Sequence, residues 1–301
     1  MNKEFGNKDF GKITYALFQE SVPTGFHNNL SAELRPLLGR LPQSFLAIGA
    51  YLDGEPAGIA LARYDHPPDA GAHLLGIGVA VERRRSGIGR GLIAELSALL
   101  RRSGFSTLNT EYLSGLRPDA AESLFLQACG FQTPAPGIYI CGCRLEYSVH
   151  APWVTTLKLP EPFSCSPFNS LTSEESEEIR QGLGLWYPPI LDPFAEEELI
   201  DRERSVILRH QGRLAGWMIL EPFDARTILY KTMFVRKEYQ RMARGVALMA
   251  EISRRMMQDP VYEEFVFFVE ADNRPMAKFL EKHIVSEQLR KEVLWRTRKA
   301  L

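Results

Sequence analysis

The chain has no surplus of charge of either sign: 36 Lys and Arg stand against 37 Asp and Glu, a formal net charge of -1. That balance does not draw the whole molecule to nucleic acid or to an anionic membrane surface, so any positive field has to be local. The sequence also has no apolar run that approaches the ~20 residues of a membrane span. Its first residues, Met1 to Gly6, carry no apolar stretch of the signal-peptide kind. Cysteine is scarce: Cys129, Cys141, Cys143 and Cys165 form no C-x-x-C pair, and a chain of 301 residues does not need disulfide staples. These absences predict a cytoplasmic protein with buried thiols, no metal, no nucleic-acid partner and no membrane. At 45% hydrophobic and 24% charged residues the composition is that of an ordinary globular chain, and its length suggests two domains, each able to bury a core.

Two phosphate-binding motifs are missing as well. A Walker loop needs Lys followed by Ser or Thr after its last glycine, and a dinucleotide fold needs G-x-G-x-x-G early in a strand-helix-strand unit. What the chain has is an apolar strand, His73 to Val81, then Glu82-Arg83-Arg84-Arg85-Ser86-Gly87-Ile88-Gly89-Arg90-Gly91, then Leu92, Leu96, Leu99 and Leu100 at helical spacing. The glycines sit where a helix begins. They leave room for close approach, the first helical N–H groups point out of the helix end, and the helix dipole favours negative charge there. A pyrophosphate fits such a turn; the competing reading is a tight turn with a solvated run of arginines.

A second copy favours the first reading. Val235-Arg236-Lys237-Glu238-Tyr239-Gln240-Arg241-Met242-Ala243-Arg244-Gly245 also joins an apolar strand to a striped helix. Aligning Arg84 with Gln240 places Leu92, Ala94, Glu95, Leu96 and Ser97 on Leu248, Ala250, Glu251, Ile252 and Ser253 without a gap. The hairpin turns correspond too, Gly54-Glu55-Pro56-Ala57-Gly58 against Gly212-Arg213-Leu214-Ala215-Gly216. A repeat of half the chain means duplicated domains, with residues 1–150 as one and 151–301 as the other. Within the first, Lys12 to Ser21 and Leu30 to Leu41 read as helical. Ser44 to Leu52 and Ala57 to Arg63 read as a hairpin, Asp65 to Ala72 as a loop, Phe105 to Leu113 as a strand, Asp119 to Cys129 as a helix and Gly137 to Tyr147 as the strand that closes this half. Val149 to Ser170, with four prolines, reads as a linker. In the second half Glu264 to Glu270, Arg274 to His283 and Glu287 to Arg298 play the last three parts.

Arg84-x-x-Gly87-x-Gly89 after a strand resembles the (Gln/Arg)-x-x-Gly-x-(Gly/Ala) signature of the GNAT superfamily of acetyl-CoA-dependent N-acetyltransferases, and the element order of both halves is similar to that family's. The resemblance implies an α+β fold of two tandem GNAT-like domains, each a mixed, mostly antiparallel sheet flanked by helices. It also implies acetyl-CoA as co-substrate, an amine-bearing acceptor as partner, and a central strand that splays from its neighbour. The coenzyme site it implies comprises Gly78, Val79, Val81, Arg84, Arg85, Ser86, Gly87, Ile88, Gly89 and Arg90, with the backbone of Ile77 to Val81 on the pantetheine.

The sequence departs from the family where the chemistry lies. Many members carry a Tyr in the last helix, placed to protonate the departing thiolate; this sequence has Leu126 there, and Leu280 in the second half. Asp119 replaces an Asn that the second half keeps as Asn273. The strand Glu that serves some members as base lies eleven residues before the signature Gln or Arg, which here is His73 and, in the second half, Leu229. An imidazole suits general base work near neutral pH, although an idle His at a strand edge is an equal reading. Glu111 and Tyr112 on the neighbouring strand are the further catalytic candidates. Ala243 stands in the second half for Gly87, so the first half is expected to hold the competent site, and the second to bind coenzyme weakly or to serve as a wall or a homodimer surface. Trp186, Tyr187, Phe194 and the run Ala195 to Glu198 are candidates for a cationic-acceptor pocket. The alternative function is a non-catalytic acyl-CoA-binding or regulatory protein.

Overall fold

The structure is a computed structural model that describes residues 12–64, 71–118, 120–148, 150–240, 243–258, 260–283 and 289–301. Asp119, residues 65–70 of the expected loop and Ile284-Val285 lie outside the described residues. In chain order the first elements are β1 Ile13–Phe18, α1 Arg35–Leu38, β2 Phe45–Leu52, β3 Glu55–Tyr64, β4 Ala72–Val79, α2 Ile88–Arg102, β5 Thr107–Ser114, α3 Ala120–Ala128 and β6 Ala135–Arg144. There follow α4 Leu145–Ser148, α5 Pro152–Thr156, β7 Phe163–Pro167, α6 Ser173–Gly182, β8 Val206–His210, β9 Arg213–Pro222, β10 Thr227–Val235, α7 Arg244–Gln258, β11 Glu264–Glu270, α8 Arg274–His283 and β12 Arg290–Ala300. Two compact units result: unit 1 is Met1–Pro136 with Leu294–Leu301, and unit 2 is Gly137–Val293.

Both units are mixed α+β. Unit 1 orders its strands β1-β2-β3-β4-β5 and then the C-terminal part of β12; unit 2 orders them β6-β11-β10-β9-β8-β7. The β1–β2, β2–β3, β3–β4, β6–β11, β10–β9, β9–β8 and β8–β7 pairs are antiparallel, and β4–β5 and β10–β11 are parallel. Each unit contains a hairpin on a two-residue turn, Asp53-Gly54 and Gln211-Gly212, and all four residues have positive φ. That is the primed turn whose twist matches the flanking strands.

In unit 1, Ile88, Leu92, Ile93, Leu96 and Leu100 of α2 bury one stripe against Leu46, Ile48, Ala60, Leu74 and Leu108. Each such side chain contributes roughly 1.5–3 kcal/mol on burial. The opposite face of the sheet is covered by Phe26, Leu30 and Leu38 over Ala47, Ile59 and Leu61. Unit 2 repeats this with Leu248, Ile252 and Met256 of α7 on one face and an aromatic cluster of Phe168, Tyr187, Trp217 and Phe234 on the other.

Four expectations from the sequence are corrected. Lys12 to Ser21 is not helical: Ile13 to Phe18 pairs with β2 from Leu52 to Ala47, because the sheet offers its backbone a partner that outweighs local propensity. Of Leu30 to Leu41 only Arg35 to Leu38 is α-helical, between a 3-10 turn at Thr24–Asn29 and Pro42. The presumed linker supplies α5 and the strand β7, which pairs with β8 as β1 pairs with β2. Finally, the closing strands are exchanged. β6 pairs with β11 in unit 2, from Ile138↔Glu270 to Arg144↔Glu264, whereas the chain's last residues belong to unit 1, where the Leu301 N–H donates to the Ser106 carbonyl. Hydrophobic patterning fixes a strand's faces and does not specify which sheet it joins.

Candidate functional site

In unit 1 the β4–β5 ladder consists of Ala72↔Leu108, His73↔Asn109 and Leu74↔Thr110, closed by the Thr110 hydroxyl donating to the Leu74 carbonyl at 2.9 Å. There it ends, while β4 runs on to Val79 paired only with β3 on its other side. At the same place Leu75 forms a bulge, since Leu61 faces Gly76 and Ala62 faces Leu74. The two parallel strands therefore separate. Unit 2 has the same device: its parallel ladder ends at Tyr230↔Phe267, and Lys231 is the bulged residue.

The strand end leads into the basic turn. Gly87 caps α2 with φ 86° and ψ -8°, in the left-handed region where a side chain costs about 1–2 kcal/mol. A Cβ placed on Gly87 would meet nothing within 4 Å, so the glycine answers to φ and the turn is open. Gly89 is tightly packed instead, since a Cβ there would come 3.1 Å from the Phe125 ring, which would have to yield. The Arg84 guanidinium turns back to donate Nε–H to the Val79 carbonyl at 3.2 Å, and Ser86 donates its hydroxyl to the Arg83 carbonyl at 2.5 Å. In unit 2 the Gln240 amide makes the Arg84 contact, donating to the Val235 carbonyl at 2.8 Å. This pair explains why Arg and Gln interchange at the position: each supplies one N–H to hold the turn.

A cavity of about 690 Å³ opens on this turn, lined by Ile77, Gly78 and Val79 of β4, Arg83, Arg84 and Arg85, Gly87 to Arg90 at the start of α2, and Ala121, Glu122 and Phe125 of α3. Four arginines and a helix N-terminus with its orphan N–H groups face one space, which is the donor set a pyrophosphate needs. Eight of the ten residues expected at the coenzyme line this cavity. Val81, 73% exposed in a 3-10 turn, does not, and neither does Ser86. Sequence reasoning missed Ala121, Glu122 and Phe125, although the small Gly89 beside a later aromatic helix residue was the available signal.

The catalytic candidates divide between the two faces of the sheet. His73 and Glu111 line a second cavity of about 350 Å³ together with Asn109, Gln132, Arg296 and Arg298. Their neighbours Leu74 and Leu108 pack toward α2, so strand alternation turns His73, Asn109 and Glu111 the other way. Glu111 is ion-paired, with Arg296 Nε at 2.7 Å, and both side chains are about 45% exposed. Tyr112 packs against the α2 core and does not line this cavity. Leu126, at the place of the family's Tyr, is buried in that core as well, so α3 presents no proton donor from that position.

In unit 2 the face of β10 turned away from α7 is closely packed. Lys231 donates to Glu221, to the Ala195 carbonyl and to Glu196 at 2.7 Å. Burial pulls its pKa down, but the bonds to the two carboxylates outweigh this and raise it. Arg236 pairs with Glu178 and lies over the Trp186 ring at 4.0 Å. The residues expected to form a cationic-acceptor pocket are thus used internally: Trp186 and Tyr187 pack with Trp217 and Phe234, Phe194 packs with Phe168, and Glu196 holds Lys231. The four cysteines are free thiols, and burial pushes Cys141 and Cys165 up to about 11, away from nucleophilic use. Among the described residues no helix is long and apolar enough to cross a membrane.

Comparison with known proteins agrees with this geometry. The Acetyltransferase (GNAT) family matches the chain twice, over residues 12–131 and 168–284. A tandem GNAT protein from the clavulanic acid biosynthesis pathway is similar in structure, 18% identical, with 89% of this chain and 87% of that one covered at a TM-score of 0.57. A GCN5-related N-acetyltransferase from Sphaerobacter thermophilus is also 18% identical, covering 90% and 85%, at a TM-score of 0.57. At such identity these two likenesses are of fold alone. No curated protein matches the sequence. The duplicated turn, the two parting strand pairs and the double match lead to one conclusion: the chain belongs to the GNAT family of acyl-CoA-dependent acyltransferases, as two tandem GNAT-like domains.

Proposed function

We propose that unit 1 is the catalytic centre of an N-acetyltransferase that passes acetyl from acetyl-CoA to a primary amine by direct attack. The observation that carries this is the open left-handed turn at Gly87, set among four arginines at the mouth of the parting strands β4 and β5. In this reading the turn and the N-terminus of α2 hold the pyrophosphate, and the arm lies along Ile77 to Val79. The acetyl group lies where the ladder ends, near Thr110. The amine nitrogen attacks the thioester carbon from the side of His73 and Glu111; the C–N bond forms and the C–S bond breaks. His73, or a water it holds, takes the proton from nitrogen, while the thiolate leaves as coenzyme A and takes a proton from solvent. With Leu126 buried, α3 supplies no tyrosine at that position for this last step. Backbone N–H groups at the Leu75 bulge are suited to polarise the carbonyl.

The test is thiol release from acetyl-CoA with a panel of amines at varied pH. The rate at saturating donor is expected to rise with pH through one ionisation. His73→Ala is expected to remove that limb and about a hundredfold or more of rate, with coenzyme affinity kept. Glu111→Gln is the control, and loss there with His73→Ala intact moves the base to β5. Coenzyme binding without thiol release from any amine would instead support the non-catalytic, acyl-CoA-sensing reading.

A further inference from the structure

The cavity that holds His73 has a composition that its place at the end of the β4–β5 ladder does not require. Its far wall is the last strand of the chain. Along β12, Trp295 and Thr297 are buried and bond the Gly115 and Gln132 carbonyls, while Arg296 and Arg298 alternate with them and are exposed. Arg296 lies against Glu111 of β5, and the Leu301 N–H bonds the Ser106 carbonyl, as in an antiparallel pair. His73, Asn109, Glu111, Arg296 and Arg298 thus share one face of three strands. Arg298 donates its Nε–H to the neutral Gln132 side chain at 3.2 Å. The cavity therefore has two guanidinium groups at its β12 end and an imidazole and a carboxylate at its β4–β5 end.

We propose that this cavity selects a small acceptor that carries a carboxylate as well as its amine, an amino acid or similar aminocarboxylate, and that Arg298, together with Arg296, is its specificity determinant. The inference rests on the reading of unit 1 as an amine acetyltransferase. A guanidinium fork is matched to a carboxylate, and an aminocarboxylate held by its acid at β12 presents its nitrogen toward His73 and Glu111. The solvent-exposed Glu111–Arg296 pair is of the weak, screened kind that an incoming zwitterion replaces, acid on Arg296 and ammonium on Glu111. A volume of about 350 Å³ suits an acceptor of amino-acid size. The transfer itself is unchanged: the amine gains the acetyl group and loses a proton, and coenzyme A leaves as the thiol.

The experiment uses the full chain with acetyl-CoA and matched acceptors, a set of L-amino acids each beside its carboxamide and its decarboxylated amine. The carboxylate forms are expected to show kcat/KM at least tenfold higher. Arg298→Gln, checked for an unchanged melting temperature, is expected to erase that preference by raising KM for the carboxylate forms with kcat held, while the amides are unaffected. Amides or decarboxylated amines that serve equally well, or a preference that survives Arg298→Gln, would overturn the proposal and leave the arginines as a solvated strand face. If no acceptor releases thiol, the acetyltransferase reading fails separately. The same amino acids and amides are then titrated calorimetrically into the protein saturated with coenzyme A. Binding of the acid form alone, lost in Arg298→Gln, supports the carboxylate site; equal binding or none contradicts it.

Discussion

Aligned on Arg84 and Gln240, the arms of the central strands in the two units differ at every position that faces away from the long helix. Gly76 and Gly78 of β4 stand where β10 has Thr232 and Phe234, and Leu75 stands where it has Lys231. In unit 1 the segment before α1 comes down onto the glycines, so that a Cβ on Gly78 would run into the Asn29 carbonyl. In unit 2 the Phe234 ring joins Trp186, Tyr187 and Trp217, and the Lys231 ammonium is held by Glu196 and Glu221. The backbone device is the same, with a bulge, a parting ladder and a turn pinned by one N–H. What differs is the side chains on this face, Leu75, Gly76 and Gly78 in one unit against Lys231, Thr232 and Phe234 in the other.

The largest expected effect breaks the aromatic cluster of unit 2. Trp217 is fully buried, and Trp217→Ala is expected to cost about 3–5 kcal/mol in a urea titration. Coenzyme affinity should be unaffected, and a parallel loss of both would deny that the two openings serve different ends. Next comes Gly78→Ala, which forces the Asn29 backbone away and is expected to cost about 1–3 kcal/mol as overpacking, with weaker coenzyme binding because Gly78 lines the cavity. A variant as stable and as tight as wild type would show that the close approach at Gly78 is unimportant. A reciprocal pair follows at the turns. Ala243 has φ 56° where Gly87 has 86°, so Ala243→Gly should stabilise and Gly87→Ala destabilise, each by about 1 kcal/mol. Shifts of the same sign would mean that the two turns are not equivalent.

The smallest effect is an acid response of unit 2. Arg209 grips Glu175 with two contacts of 2.6 Å and holds its carboxyl below the usual carboxylate range. A group held low in the folded chain contributes fully above that range, and the contribution is lost as pH falls through the folded-state value. The stability difference between wild type and Glu175→Gln, at most about 1 kcal/mol after solvent screening, should therefore vanish in acid. A difference that persists at low pH would contradict an ion-pair origin of the effect, since glutamine keeps the capping box at Thr172.

Much of this comparison is legible in the sequence because it is carried by short-range rules. The Arg84 and Gln240 turns, the hairpins at Gly54 and Gly212 and the stripes of α2 and α7 each follow from local spacing. The edge strands β1 and β7 are not legible. Ile13 to Phe18 becomes a strand only because β2 lies beside it, and Phe163 to Pro167 looks like linker until β8 pairs with it. The exchange of β6 and β12 is hidden for a similar reason, since alternation fixes a strand's faces and not its neighbour. That exchange also conceals Arg296 and Arg298, more than 180 residues from Glu111 in sequence, as walls of the His73 cavity. Lys231 and Phe234 stand in plain view in the sequence, but only the bulge and the aromatic cluster show what they pack against.

The central claim is that one of the two copies holds the coenzyme, and calorimetric titration of coenzyme A into the full chain tests it directly. The account predicts a single site per chain, lost when Gly87 is replaced by Trp and retained when Ala243 is replaced by Trp. Two sites per chain, or binding that survives Gly87→Trp and disappears with Ala243→Trp, would contradict it.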